Sequence, residues 1–181
     1  MGELLFSPQS KFLFDIKMGN LFDVIKSNVD VTAADNAAII IACTYNRVSI
    51  AEYLIDAGSD VCARDNAPIR LACELGFYDL VKVLVTAGAD IRAQDDSAIR
   101  WATLYERFEV VKFLVSHGVP KALVSHNKRM LDYLNFSEKM EEKVRHRAAN
   151  KIYFWIIPKL YAPGSESAQR LGLKGWQECF G

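Results

Sequence analysis

The chain has 181 residues, of which 51% are hydrophobic and 11% aromatic, so it can bury a core as one domain or a short array. It carries 22 basic and 22 acidic residues, and this balance argues against the dense basic surface of nucleic-acid-binding proteins. Its apolar runs, such as 152–157, are far below the roughly 18 residues of a membrane span, so we expect no membrane partner.

The first predicted elements are a pair of helices within residues 1–31. Ser7-Pro8 is a typical helix start, and a shorter helix is predicted at 21–26. Asn28 follows it, a residue that tolerates left-handed backbone geometry. We interpret 1–31 as a degenerate N-terminal capping repeat, because terminal repeats have one face in water.

From residue 32 onward the sequence repeats with a period of 30 residues. A period of this size predicts stacked helical hairpins that bury their apolar faces against their neighbours. We divide this region into units at 32–61, 62–91 and 92–121. The positions that recur are Ala42, Ala72 and Ala102, then Leu54, Leu84 and Leu114, then Gly58, Gly88 and Gly118.

Unit 62–91 shows the plan of each hairpin. Asp65-Asn66 supplies a helix cap, and Pro68 is tolerated in the first turn. Gly76 ends the first helix, Asp79 suits the start of the second, and Gly88 ends it. The first helix buries a stripe at helical spacing, formed by Ile69, Ala72 and Cys73.

These residues resemble the ankyrin repeat. The family's turn motif is represented by Ala67-Pro68-Ile69-Arg70, and its glycine-alanine-aspartate-valine segment by Gly88-Ala89-Asp90-Ile91. The resemblance covers about residues 5–121. It implies an all-α, ankyrin-type helix-turn-helix solenoid that binds a protein partner on its concave face.

Two departures from the ankyrin pattern shape the expected turns. The period is 30 rather than about 33 residues, so a tight turn should replace the projecting β-hairpin. The turn histidine is also replaced, by Arg70 and Arg100, which we expect to pair with Asp65 and Asp95. The short period is similar to that of the ankyrin-repeat proteins of giant DNA viruses.

The C-terminal third loses the period. We predict one helix at 128–135 and a second at 137–150 with Ser137 as its N-cap, together forming a helical capping unit at 122–150. An aromatic segment, 151–181, follows and contains Tyr153-Phe154-Trp155. It either seals the last repeat or docks a second partner.

The sequence shows no constellation typical of catalysis, of a metal site or of cofactor binding. Cys43 and Cys73 occupy the same repeat position, too far apart for a disulfide, and should be reduced core residues. With no secretory signal in residues 1–10, we expect an intracellular protein, located in the host cytoplasm if viral.

Residues that vary between units at equivalent positions are the candidates for partner binding. Three pairs follow the buried stripe of each first helix, and the turn residues border them. By the resemblance, they face the concave surface. The candidate set is Thr44, Tyr45, Glu74, Leu75, Leu104 and Tyr105, bordered by Arg64, Asn66, Gln94 and Asp96.

The sequence therefore predicts a monomeric, non-enzymatic module that binds a protein and not nucleic acid, and that acts on host proteins if it is viral. Two alternatives remain open. The chain is an adaptor whose aromatic segment recruits machinery such as a ubiquitin ligase, or it is a duplicated paralogue without a dedicated ligand.

Overall fold

Helices make up the regular secondary structure of the computed structural model, which describes residues 7–151. Within that range it contains no strand, which confirms the all-α fold. One compact unit extends to Leu131 and a second begins at Asp132. The helices are α1 (Pro8–Met18), α2 (Leu21–Lys26), α3 (Ala33–Thr44), α4 (Val48–Asp56), α5 (Ala63–Leu75), α6 (Tyr78–Thr86), α7 (Ala93–Leu104), α8 (Phe108–Ser116) and α9 (Lys128–Lys151), with a 3₁₀ helix at Lys121–Val124.

The N-terminal pair forms as its capping residues dictate. The hydroxyl of Ser7 accepts a hydrogen bond from the amide of Ser10 at 3.1 Å, and Gly19 ends α1 with a φ of 85°. Asn28 takes a φ of 48° after the short α2. The predicted start of α1 and the predicted bounds of α2 are confirmed.

The core consists of two parallel rows of helices. The first helices of the hairpins, α1, α3, α5 and α7, pack side by side, and so do the second helices, α2, α4, α6 and α8. Small side chains at Ala42, Ala72 and Ala102 let the first helices approach closely, and all three are fully buried. Each buried leucine of the second helices adds about 1.5–3 kcal/mol of hydrophobic stabilisation; these are Leu54, Leu84 and Leu114.

Each of the three central units begins with one turn of left-handed backbone. Residues 34–36, 64–66 and 94–96 all have φ between 50° and 59°. The turn closes when the amide of its last residue bonds back to the fourth preceding carbonyl, as from Asn66 to Cys62 at 2.9 Å. Non-glycine residues pay about 1–2 kcal/mol each for this conformation. The expected tight turn in place of a hairpin is confirmed.

The turn asparagines do not cap their own helices, which corrects the sequence interpretation. The Oδ1 of Asn66 accepts a hydrogen bond from the amide of Asp90 at 3.0 Å, and Asn36 accepts from Asp60 at 2.9 Å. Each bond ties the turn of a unit to the segment that leaves its second helix. Left-handed backbone at the asparagine directs its amide group away from its own helix.

The third central unit replaces this bond with another. Pro120 stands where Asp60 and Asp90 stand in the earlier units, and proline has no amide to donate. Asp96, in the place of the asparagines, instead accepts hydrogen bonds from the guanidinium of Arg92. The loss of the asparagine at position 96 thus coincides with the loss of the amide donor at position 120.

The expected pairs of Arg70 with Asp65 and of Arg100 with Asp95 do not form. Arg70 donates from Nη1 to the side-chain oxygen of Gln94 at 3.0 Å, and Arg100 donates from Nη2 to the Gln94 backbone carbonyl at 3.4 Å. Because the left-handed turn exposes both aspartates, the arginines reach the glutamine instead.

The two helices predicted at 128–135 and 137–150 are one continuous helix, α9. No proline or glycine interrupts this stretch, and Ser137 donates its hydroxyl to the carbonyl of Leu134 at 2.9 Å rather than capping a helix. The cap belongs to Asn127, whose Oδ1 accepts from the amide of Met130 at 3.0 Å. The aromatic segment predicted at 151–181, from residue 152 on, lies outside the described residues.

Candidate partner-binding surface

The predicted binding residues of the first helices lie at the protein surface to different degrees. Tyr45 and Tyr105 are 42% and 46% exposed, and Leu104 is 66% exposed. Thr44 is also exposed, whereas Glu74 and Leu75 in the middle unit are half-buried. The candidate pair of the middle unit therefore offers less exposed surface area than the pairs of the two neighbouring units.

Helix geometry explains why these residues face outward together. In α5 the positions 68, 69, 72 and 73 are buried, so the positions that follow each pair lie on the opposite side. The same holds in α3 and α7. We call this side the first-helix surface; it consists of Ile40, Ile41, Thr44 and Tyr45 and of their equivalents, Arg70, Leu71, Glu74, Leu75, Arg100, Trp101, Leu104 and Tyr105.

Trp101 is one of the members of this surface that sequence reasoning missed. Its ring stacks on Tyr105 with centroids 6.1 Å apart and planes 17° apart, and it is 39% exposed. Ile41 and Leu71 occupy the same position in the earlier units. The signal in the sequence was an apolar residue four positions before Tyr45, Leu75 and Tyr105, since residues four apart share a helix face.

The N-terminal helix extends the same apolar row. Met18 directly precedes the left-handed residue that ends α1, as Tyr45 does in α3, and Phe14 lies one turn earlier. They are 54% and 51% exposed, respectively. Four consecutive first helices thus present two apolar positions each, one turn apart.

Cationic side chains border this row at the carboxyl ends of the first helices. The Nζ of Lys17 lies 5.3 Å from the centre of the Tyr45 ring, and the guanidinium carbon of Arg107 lies 6.0 Å from the centre of the Tyr105 ring. Cations at these distances are attracted to the ring faces. They hold the tyrosine rings in place without covering them.

The four predicted turn residues are already engaged within the protein. Arg64 donates to the carboxylate of Asp35 at 3.0 Å, linking two successive turns. Asn66 accepts from Asp90, Gln94 accepts from Arg70, and Asp96 pairs with Arg92. These hydrogen bonds explain the four turn residues as structural. The evidence for binding therefore comes from the apolar row and from Arg70 and Arg100 of the first-helix surface.

The repeated cysteines sit in the opposite environment. Cys43 and Cys73 are fully buried and unpaired, as expected. Burial raises the pKa of each thiol to about 12, because the charged thiolate is poorly solvated in the core. At neutral pH both are protonated, which makes them poor nucleophiles and poor metal ligands.

Other surfaces of the described residues offer less. A groove of about 790 Å³ between α4 and α6 is lined by both charged and apolar groups, and its Asp79 and Lys82 pair at 3.2 Å. No group of three or more histidine, cysteine or acidic residues within 7–151 is placed to hold a metal ion. No helix in that range is long and apolar enough to cross a membrane.

The described helices form stacked helical hairpins, and surface side chains recur once per hairpin. This arrangement is a helical solenoid. Residues 15–95 match the family model described as ankyrin repeats in three copies. This part of the chain is therefore similar to ankyrin repeats, and the ankyrin-repeat family consists of generic protein-protein interaction modules rather than enzymes. No curated protein sequence matches the chain.

Proposed function

We propose that this protein binds a protein partner on the first-helix surface, which in ankyrin-type stacks is the concave side. One observation carries the proposal: large apolar side chains recur at two exposed or half-buried positions of each first helix, while the buried positions keep small or aliphatic residues. Exposed apolar area costs free energy in water and tends to mark interaction sites.

Recognition on such a surface depends on a few anchors and on prior order. Tyr45, Trp101 and Tyr105 are rigid aromatic groups that bury much area with few rotatable bonds. The helices beneath them are packed before any contact, so little ordering cost is added on association. Each anchor that acts as a hot spot should contribute about 1–2 kcal/mol.

The test compares two variants of the full chain in affinity capture from cells of the source organism or its host. In the first variant Tyr45, Leu75 and Tyr105 are all changed to serine. In the control, Phe22, Ile25 and Tyr78 are changed to serine, since these are also exposed but lie on the second helices. Thermal melts establish that both variants are folded.

We expect the first variant to lose its specific partner and the control to keep it. If the variant with serine at positions 45, 75 and 105 captures the partner unchanged, the first-helix surface is not the binding site. If both variants lose the partner equally, the effect is not specific to this surface and the proposal also fails.

The finer expectations about origin and assembly belong to the same proposal. A viral effector in the host cytoplasm is supported by the resemblance of the 30-residue period to that of the ankyrin-repeat proteins of giant DNA viruses. The proposal also takes the protein to be a monomer. The adaptor alternative depends on the aromatic segment, which lies mostly outside the described residues.

A further inference from the structure

Two arginines of the first-helix surface, Arg70 and Arg100, make no ion pair with a carboxylate of the described residues. Arg64, Arg92 and Arg129 each pair with an acidic side chain. Arg70 and Arg100 instead bond to the neutral Gln94, and no carboxylate within the described residues forms an ion pair with either. Of the acidic residues close to them in sequence, Asp65 and Asp95 are exposed at the turns, Asp96 pairs with Arg92, and Glu74 lies one helical turn after Arg70 without an ion pair to it.

The two guanidinium groups both donate hydrogen bonds to Gln94, at different atoms of that residue. Arg70 takes the side-chain oxygen of Gln94, and Arg100 takes its backbone carbonyl at 3.4 Å, which is a weak bond. Like charges gathered at one residue repel each other, and an anion between them would offset that repulsion. The planar donors of arginine match a carboxylate in two-point contact.

An apolar cluster lies directly beside these cations. Trp101, Leu104 and Tyr105 are exposed on α7, and Leu104 follows Arg100 by one helical turn. Side chains four apart on a helix have Cβ atoms about 5–6 Å from each other. A partner could therefore place a carboxylate on the arginines and an apolar side chain on the cluster at the same time.

We propose that the partner's contact region is an acidic segment of a protein, with a carboxylate held by Arg70 and Arg100 and an apolar side chain seated on Trp101, Leu104 and Tyr105. This inference rests on the proposed function and specifies the chemistry of the partner. In an extended segment, residues two apart lie on one side and about 6.5–7 Å from each other. The segment therefore carries an aspartate or glutamate two positions from an aromatic or aliphatic residue.

Arginines beside aromatic rings could also hold a nucleic acid, but the charge around them argues against it. Residues 1–121 contain 12 basic and 16 acidic residues, a net charge of −4. Exposed aspartates also stand in each turn, at 35, 65 and 95. A polyphosphate chain extends over this acidic surface and is repelled, whereas one carboxylate is attracted over about 10 Å or less.

The experiment selects a display library of random short peptides against the full chain and then measures the enriched peptides in solution. Four proteins are compared: the natural chain, Arg70→Glu with Arg100→Glu, Trp101→Ser with Leu104→Ser and Tyr105→Ser, and Lys26→Glu with Lys82→Glu. The last variant makes the same change in net charge on the second helices. A mixed-sequence single-stranded oligonucleotide serves as a competing probe, and circular dichroism establishes folding.

We expect enriched peptides to carry an acidic residue two positions from an apolar one. Their affinity should fall about 10-fold or more in both first-helix variants and little in the lysine control, and should weaken as salt increases. Peptides whose acidic residue is changed to lysine should regain binding to the Arg70→Glu, Arg100→Glu variant. That recovery cannot come from a structural role of the arginines alone.

The outcomes separate this inference from the proposed function. Peptides that lack acidic residues, or that need the apolar cluster but not the arginines, overturn the acidic segment and leave the binding surface standing. Peptides indifferent to the apolar cluster, or a selection that enriches none, overturn both. An oligonucleotide that binds the natural chain and is lost with the arginines overturns the choice of a protein segment.

Discussion

The guanidinium of Arg107 donates from Nε to the backbone carbonyl of Glu74, 2.9 Å away in the preceding unit. Arg47 makes the same connection to the carbonyl of Lys17, with bonds of 3.1 and 2.8 Å. Carbonyls in the last turn of a helix have no partner within it, so these arginines satisfy groups that would otherwise need water. They join successive hairpins at the carboxyl end of the first helices.

Replacing Gly76 with alanine should destabilise the stack more than replacing Gly88. Both glycines have positive φ, 82° and 93°, so each alanine costs about 1–2 kcal/mol in backbone strain. A Cβ at position 76 would also come within 2.6 Å of the Arg107 side chain, whereas a Cβ at position 88 would have no atom within 4 Å. Urea unfolding of the two variants measures the difference, and equal losses would mean that Arg107 moves aside without cost.

The bond from Asn66 to the amide of Asp90 should be measurable as stability. Asn66→Ala leaves that amide without its acceptor and strains the turn, so we expect a loss of about 1–3 kcal/mol. Asn66→Asp keeps an acceptor and a residue that tolerates positive φ, and should lose much less. Chemical denaturation of both variants is the measurement; an aspartate variant as unstable as the alanine variant would contradict the role of the bond.

Thr103→Val should stabilise the protein by about 1 kcal/mol. Thr103 is 1% exposed, and its hydroxyl has no hydrogen-bond partner in the protein. Valine has nearly the same shape and removes the cost of burying that hydroxyl. Thr44→Val is the control, because the Thr44 hydroxyl is exposed and bonds to the carbonyl of Ile40 at 2.8 Å. A melting temperature that falls in the Thr103 variant would show that the hydroxyl is satisfied.

Stability should decrease with rising alkaline pH because of Cys43 and Cys73. Their pKa in the folded protein is about 12, above the ordinary value of 9.0, so above pH 9 the unfolded chain loses protons that the folded protein keeps. Deprotonation therefore favours unfolding from pH 9 up to pH 12. At pH 10 each thiol should cost about 1.4 kcal/mol relative to neutral pH.

The comparison uses Cys43→Ala with Cys73→Ala, which removes both titrations and leaves the tyrosines and lysines unchanged. The difference in unfolding free energy between the two proteins should narrow as pH rises from 8 to 10. A constant difference would mean that the thiols are not protected from ionisation by burial.

The hairpin plan could be predicted from sequence because each signal was local and repeated. Ser7, Gly76 and Asn28 act through their own backbone geometry, so their positions fix the ends of helices. The bonds of Asn66 and Arg70 could not be predicted in this way. They connect residues 24 apart, and their partners depend on how the left-handed turn orients the side chains.

The surface was partly predictable for the same reason. The exposed positions of Tyr45 and Tyr105 could be predicted from their place in the repeat. Trp101 could have been found by applying the same reasoning one helical turn earlier. The lack of a carboxylate for Arg70 and Arg100 could not be foreseen, because Asp65 and Asp95 are close in sequence and diverge only in the folded turn.

The joint change at Asp96 and Pro120 limits where the solenoid could be lengthened. A unit copied onto the chain after residue 121 would follow a proline that cannot donate to the preceding turn. Inserting a duplicate of 62–91 ahead of residue 92 would instead keep both members of the asparagine-amide pair in every added copy. Elongation, whether by gene duplication or by design, is therefore favoured in the interior of the array and opposed at its carboxyl end.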